Sequence, residues 1–191
     1  MDLYLIRHLR PEIEAGVCYG QLDVPLAPTS AADCAKVAAR LPSVDVVWTS
    51  PQARCRILAD AIGMRAGVAP VSDERLRELG FGEWEGRRWE TIGRDESERW
   101  AADYWNVSPP GGETYRELYA RVCIALAEIA AWNAQRAAVV THAGPIRAAL
   151  VHCLQLDPRR YPEIELDYGG INLLHVDLAG DAAWRLEYLN G

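Results

Sequence analysis

Short apolar runs alternate along the chain with stretches whose apolar residues recur every three or four positions, and that alternation predicts the architecture. The first run, Leu3 to Ile6, has Leu3 and Leu5 on one face and Tyr4 and Ile6 on the other, as expected of a central strand covered on both sides. Ser30 with Asp33 three residues on forms a capping-box pattern, and Ala35, Val37, Ala38 and Leu41 supply the apolar stripe of a helix behind it. Val44 to Trp48 reads as a second strand, followed by Ser50 as N-cap, Pro51 at the first helical position and a helix to about Ile62. A short strand near Val68 to Val71 comes next.

From about residue 78 to 112 the pattern breaks into Gly, Trp and charge (GFGEWEGRRWE, then ERWAADYWNVSPPGG), which predicts an irregular loop with short helices inserted as a cap. Thr114 with Glu117 is a second capping-box signature, ahead of Leu118, Val122, Ala125, Leu126 and Ile129 at helical spacing. Ala137 to Thr141 repeats the strand pattern, with a tight turn at Ala143-Gly144 and Pro145 opening a helix to about Leu156. Leu173 to Leu178 and Trp184 to Leu189 read as a closing strand pair around a Gly180-Asp181 turn. The pattern predicts a three-layer α/β/α sandwich on a mostly parallel central sheet, one domain over residues 1–191.

Half of the residues are apolar and a quarter charged, the profile of an ordinary globular domain. A net charge of −7 argues against a nucleic-acid binder, which needs a basic face to displace counterions. The start MDLYLIRH lacks the basic segment and long apolar region of a secretory signal, and its apolar run is too short to span a bilayer, so a cytoplasmic protein without membrane attachment is expected. Five cysteines with no C-x-x-C pair indicate neither a disulfide framework nor a zinc site.

Three predicted strands end in side chains suited to one anionic ligand: Arg7 and His8 after the first, Arg54 in the first helical turn after the second, His142 after the third. Two arginines offer planar forks that fit a phosphoryl group. Histidine is a neutral nucleophile near pH 7 that carries a transferred group as a covalent adduct, and either His8 or His142 has the position to attack. A leaving alkoxide needs a proton, and LRELGFGEWEG offers Glu78, Glu83 and Glu85. His152 falls mid-helix and His175 mid-strand, where structural roles suffice, and no H-x-H or H-E-x-x-H spacing marks a metal hydrolase.

LIRH at the start, TSPQARCRILA, LRELGFGEWEGRRW, PPGGETYREL and VVTHAGPIRAAL, in that order, resemble the histidine phosphatase superfamily, which includes cofactor-dependent phosphoglycerate mutases. The resemblance implies that His8 is the nucleophile, that Arg7, Arg54 and His142 hold the phosphoryl group, that Glu78 is the proton donor, and that no metal or other cofactor takes part. The chain departs from the family pattern at Leu9, at Arg10-Pro11, at Glu14, at Leu58 and at Ala143-Gly144-Pro145. Leu9 bears on how the backbone orients His8, Glu14 must point away from a phosphate, and Arg10 is a candidate third cation.

Within the family, G-x-C-Y-G-Q-x-D-x-P-L at Gly16 to Leu26 together with FGEWEGRRWETI and PPGGET is similar to the alpha-ribazole-5'-phosphate phosphatases of cobalamin biosynthesis. That resemblance implies a small phosphomonoester substrate. Tyr19 and Gln21 are candidate polar contacts to it, as are Glu113 and Thr114, although helix capping suffices to explain Thr114. Trp84, Trp89, Trp100, Tyr104 and Trp105 are candidates to stack on a flat ring. A broad-specificity phosphatase, a phosphoglycerate mutase-like phosphotransferase and a non-catalytic phosphate-binding protein are the competing readings. A homodimer is left open.

Overall fold

A computed structural model describes residues 1–177 and 183–191, with the side chain of residue 31 outside that description. Its elements in chain order are β1 (Asp2–Arg7), α1 (Ser30–Arg40), β2 (Val46–Thr49), α2 (Ala53–Ala66), β3 (Val71–Ser72), α3 (Arg94–Ala102), α4 (Tyr115–Ala130), β4 (Arg136–Thr141), α5 (Ala143–Cys153), β5 (Ile171–Asp177) and β6 (Ala183–Tyr188). One sheet runs β3-β2-β4-β1-β5-β6. β3, β2, β4 and β1 are parallel, and β5 is antiparallel to both of its neighbours. The predicted Gly180-Asp181 turn and Leu178 lie outside the described residues.

The two faces of β1 bury into two separate cores. Leu3 and Leu5 join Val46, Trp48, Val139 and the apolar sides of α4 and α5, while Tyr4 and Ile6 join Val47, Val140 and the apolar sides of α1 and α2. The interior of β1, Leu3 to Ile6, is buried and apolar because the strand lies between β4 and β5 and is covered on both faces, and its charged residues stand at the two ends. Among the described residues no helix is long and apolar enough to cross a membrane.

Helix starts depart from the sequence reading for specific reasons. α1 has no side-chain cap: Thr29 precedes it in helical geometry, Ser30 Oγ donates to the Arg10 carbonyl (3.4 Å) and Asp33 pairs with Lys36. α2 begins at Ala53 rather than Pro51, because the Ser50 hydroxyl is engaged by His142 (2.9 Å) and Gln52 is extended. The cap comes from across the chain, where Asp23 Oδ1 accepts from the Ala53 N–H at 2.9 Å. α5 begins at Ala143 with Pro145 inside its first turn, where a missing N–H costs nothing, and ends at Cys153, short of Leu156. β3 occupies Val71–Ser72 rather than 68–71. The capping box at Thr114 and Glu117 is complete, each side chain accepting from the other's backbone N–H.

The segment 78–112 caps the sheet's carboxyl edge as short 3-10 turns plus α3. Glu85 ties its start down by accepting from the N–H groups of Gln21 (2.8 Å), Leu22 (2.5 Å) and Phe81 (2.9 Å). Trp84 and Ile92 bury with Cys18 in a small third cluster.

Thr114→Ala is expected to lower the unfolding free energy by about 1 kcal/mol, through loss of the cap of α4. Urea denaturation measures this, and an unchanged midpoint would contradict the role given to the box.

Candidate active site

Strand register brings the chemistry together. Arg7 ends β1 opposite Thr141, and Thr49 ends β2 opposite Val140. Backbone bonds continue past the strands, from His8 N–H to the Thr141 carbonyl (2.9 Å) and from Ser50 N–H to the Val140 carbonyl (3.0 Å). His8, Ser50 and His142 therefore share the crevice beyond the strand ends where α/β sheets take ligands.

His8 is 2% exposed, and its Nδ1–H donates to the Leu9 carbonyl at 2.6 Å. A carbonyl only accepts, so the neutral ring carries its proton on Nδ1 and leaves the Nε2 lone pair free. Burial pushes the pKa of His8 down to about 3, the Arg54 charge pushes the same way, the Leu9 bond opposes it, and Arg7 adds to the lowering. His8 is thus a neutral base with a defined tautomer. Leu9 supplies that carbonyl while its side chain packs into the α1–α2 core, against Gly169. Gly169 has φ +70°, and a Cβ there would meet Leu9 Cδ2 at 2.8 Å.

His142 lies edge-on to His8, with ring centroids 5.0 Å apart. Arg54 Nε donates to its Nδ1 (3.3 Å), so its Nε2–H donates to Ser50 Oγ (2.9 Å), with the Cys55 sulfur at 3.4 Å. Burial first, then His8 and Arg54, hold its pKa well below the ordinary histidine value.

Arg54 is completely buried, and no carboxylate pairs with it among the described residues. Its Nη1 and Nη2 donate to the carbonyls of Leu22 (2.8 Å) and Gly20 (2.6 Å). Gln52, also buried, donates to the Gly20 carbonyl (3.0 Å). Arg7 lies 3.8 Å over the ring of Tyr168 and donates through Nη1 to the Leu166 carbonyl (2.5 Å). Its Nε is buried without a partner among the described residues. The Tyr168 hydroxyl bonds that of Tyr19 at 2.7 Å, and burial raises the Tyr19 pKa.

Of the three candidate carboxylates, Glu78 alone faces His8 across a cavity. Its carboxylate accepts from the Gly144 N–H (3.1 and 3.3 Å) and the Leu79 N–H (2.9 Å). A Cβ on Gly144 would fall 2.1 Å from Glu78 Oε1, so the glycine after Ala143 is what admits the carboxylate. Glu83 is exposed, and Glu85 is occupied by its three N–H donors. Arg121 fixes the loop behind Glu78 by donating to the carbonyls of Arg75 (2.6 Å), Arg77 (2.7 Å) and Glu78 (3.0 Å) while forking onto Glu113. Glu113 is held there and by the Gly80 N–H (3.3 Å), and Thr114 caps α4, so neither reaches the cavity.

The cavity holds about 200 Å³ and is lined by Arg7, His8, Val17, Tyr19, Glu78, Leu79, Phe81, Trp89, Tyr115, Gly144, Arg147 and Tyr161. Arg54 and His142 lie beneath it, in contact with each other. Arg10 is exposed and lines a neighbouring cavity with Asp33 and Asp167, 5.4 Å from the Tyr168 ring. Gln21 donates to the Glu78 carbonyl (3.2 Å) from the outer side of the loop. Glu14 is exposed on the Arg88 side chain (3.3 Å), away from the cavity. Of the five aromatic candidates only Trp89 lines the cavity, while Trp84 is buried behind it and Tyr104 and Trp105 pack on Tyr115. Sequence reasoning missed Ser50 as a partner of His142, Gln52, Tyr168, Arg121 and Arg147. Arg147 carried a signal, a lone cation in the apolar helix AGPIRAALV. Larger cavities near Tyr104–Asn106 (about 640 Å³) and His152–Leu156 (about 870 Å³) contain none of the strand-end residues. Among the described residues no group of three His, Cys, Asp or Glu side chains is placed to hold a metal ion.

Residues 3–190 match the family model of the histidine phosphatase superfamily (branch 1). Phosphoserine phosphatase 1 of Hydrogenobacter thermophilus is 27% identical over 185 residues, covering 93% of this chain and 87% of its own. The alpha-ribazole phosphatase from Shigella flexneri superposes with a TM-score of 0.90 at 21% identity, over 100% of this chain and 96% of its own. Mycobacterial glucosyl-3-phosphoglycerate phosphatase superposes with a TM-score of 0.87 at 26% identity, over 100% and 98%.

His8 is neutral when folded and titrates near 6.5 when unfolded, so its contribution to stability is full above about pH 6.5 and drains as pH falls toward 3. The stability difference between the wild type and His8→Asn should shift against the wild type by about 1.4 kcal/mol per pH unit across that window. Urea melts from pH 6.5 to 4.5 measure it, and a pH-independent difference would show that His8 is charged in the fold.

Proposed function

The chain belongs to the histidine phosphatase superfamily and is a phosphatase, and from that premise we propose a metal-independent phosphomonoesterase that works through a phosphohistidine on His8. The observation that carries this reading is the bond from His8 Nδ1–H to the Leu9 carbonyl beside the buried Arg54 and the half-buried Arg7, which makes Nε2 a neutral nucleophile facing an anion site.

In the first step Nε2 attacks phosphorus in line, the P–O bond to the alcohol breaks, and Glu78 gives the departing oxygen its proton. In the second, the Glu78 carboxylate takes a proton from water as that water attacks phosphorus, and the P–N bond returns its electron pair to Nε2. Arg7 and Arg54 balance the phosphoryl charge throughout, in a site dry enough for each interaction to count heavily. Ser50 holds His142 by its Nε2–H, and Arg121 positions Glu78 by gripping its loop.

The cavity beside His8, of about 200 Å³, takes the phosphoryl end of a small phosphomonoester. Alpha-ribazole 5'-phosphate is the reading that the motif resemblance favours, with Trp89 and Phe81 at 5.5 Å from each other as an aromatic wall against which its base would lie. A mutase is distinguished by transfer between hydroxyls under a bisphosphate activator instead of release of inorganic phosphate.

His8→Ala should lose at least 10³-fold in kcat/KM on every phosphomonoester, with EDTA without effect on the wild type. Full activity of the variant would refute the nucleophile. Glu78→Gln should slow an alkyl phosphomonoester at least 100-fold and p-nitrophenyl phosphate, whose phenolate leaves without a proton, far less. Equal loss on both would remove Glu78 from the proton-donor role. Arg121→Met should lower kcat more than it raises KM in steady-state assays, because it loosens Glu78 without touching the phosphoryl group.

A further inference from the structure

Arg7 is aimed by one short segment of chain. Its Nη1 donates to the Leu166 carbonyl (2.5 Å), and its guanidinium lies 3.8 Å over the ring of Tyr168, which also stands tilted against His8 with centroids 5.6 Å apart. Backbone bonds join the same segment to the end of β1, from Arg7 N–H to the Gly170 carbonyl (3.2 Å) and from Gly169 N–H to the carbonyls of Arg7 (3.1 Å) and His8 (3.3 Å). A guanidinium that rests on an aromatic face and a carbonyl is placed only as well as the chain that carries them. Residues 164–170 belong to no helix or strand, so the ladder bonds of regular structure do not fix them.

Asn190 supplies the hold. Its Oδ1 accepts from the Asp167 N–H (2.8 Å) and its Nδ2 donates to the Glu165 carbonyl (3.1 Å), so one side chain grips the backbone on both sides of Leu166. Its own N–H donates to Oδ1 of Asn172 (3.1 Å), and Asn172 Nδ2 donates to the Leu5 carbonyl (3.0 Å). Asn172 is wholly buried, on β5 beside β1. A line of bonds therefore runs from the middle of β1 through two asparagines to the segment under Arg7. Two details suit the place to asparagine: residue 190 has left-handed backbone, φ 52°, which Asn adopts more readily than most side chains, and a Cβ on Gly170 would fall 2.6 Å from its Oδ1.

We propose that Asn190 is a positioning residue for phosphoryl transfer: it clamps residues 165–167 and so holds the Leu166 carbonyl and the Tyr168 ring where they aim Arg7 at the phosphoryl group. The assignment rests on the phosphatase reading and adds to it a residue that does not line the cavity. Its action falls on one cation. Arg54 is held separately by the carbonyls of Leu22 and Gly20, and the His8 tautomer by that of Leu9, so loosening 165–167 leaves both in place.

The test is a double-mutant cycle between Asn190 and Arg7, read as kcat/KM on p-nitrophenyl phosphate and as the inhibition constant of inorganic phosphate. Asn190→Gly still permits the left-handed backbone but removes both side-chain bonds, which separates the clamp from the local conformation. In the otherwise wild-type enzyme it should lower kcat/KM by about 10- to 100-fold, the scale of an ångström-sized misplacement, and weaken phosphate inhibition in step. In the Arg7→Met background the same substitution should cost less than about twofold, because the residue acts through Arg7. Equal losses in the two backgrounds would reduce Asn190 to a general structural role and overturn the proposal, as would full activity of Asn190→Gly. If Asn190→Gly is too unstable to assay, Asn190→Asp, which keeps the acceptor for Asp167 and loses the donor to Glu165, takes its place in the cycle under the same criterion. If the wild type turns over no phosphomonoester the phosphatase reading fails, and calorimetric titration with inorganic phosphate then decides the clamp alone. Affinity lowered by Asn190→Gly only when Arg7 is present upholds it, and unchanged affinity, or no binding to the wild type, overturns it.

Discussion

The burial of Arg54 with no carboxylate partner among the described residues is the constraint around which the site is built. A cation wholly withdrawn from water costs several kcal/mol unless its donors and its charge are both answered. Here the donors are answered by the carbonyls of Gly20 and Leu22 and by His142 Nδ1, while the charge is left for a ligand. The same positive field, with burial, keeps both histidines neutral, and neutrality is what makes His8 a nucleophile rather than one more cation. The loop at 20–22 must therefore be held in place, and the three N–H donors it and Phe81 send to Glu85 do that.

Glu78 depends on a similar chain of constraints. Its carboxylate rests on the Gly144 N–H, its carbonyl on Arg121, and Arg121 in turn on Glu113 at the foot of α4. Two loops and two helices thus meet at a single carboxylate. The cap segment closes the cavity with Phe81 and Trp89 and leaves the remaining indoles to pack behind them.

Much of this was legible in the chain because it is local. The two-faced apolar run of β1, the histidine at its end and the capping box at Thr114 each follow from neighbours in sequence, and the sandwich follows from their alternation. What was not legible is long-range. Asp23 caps α2 from thirty residues upstream, so Ser50 is released from the capping role its position implied and serves His142 instead. Glu113 and Gln21 carry the polarity of substrate contacts, yet the folded chain uses them on the outer side of the Glu78 loop. Leu9, odd in the motif, is ordinary in the structure: its side chain is core and its carbonyl sets the tautomer of His8.

The central claim is that His8 attacks through Nε2 because Nδ1 carries the proton. The most direct measurement is to quench the Glu78→Gln enzyme with p-nitrophenyl phosphate at alkaline pH and assign the phosphoryl adduct by 31P and 15N NMR. Phosphorus bonded to Nε2 of His8 is the result expected. Phosphorus on Nδ1, or on His142, would contradict the account.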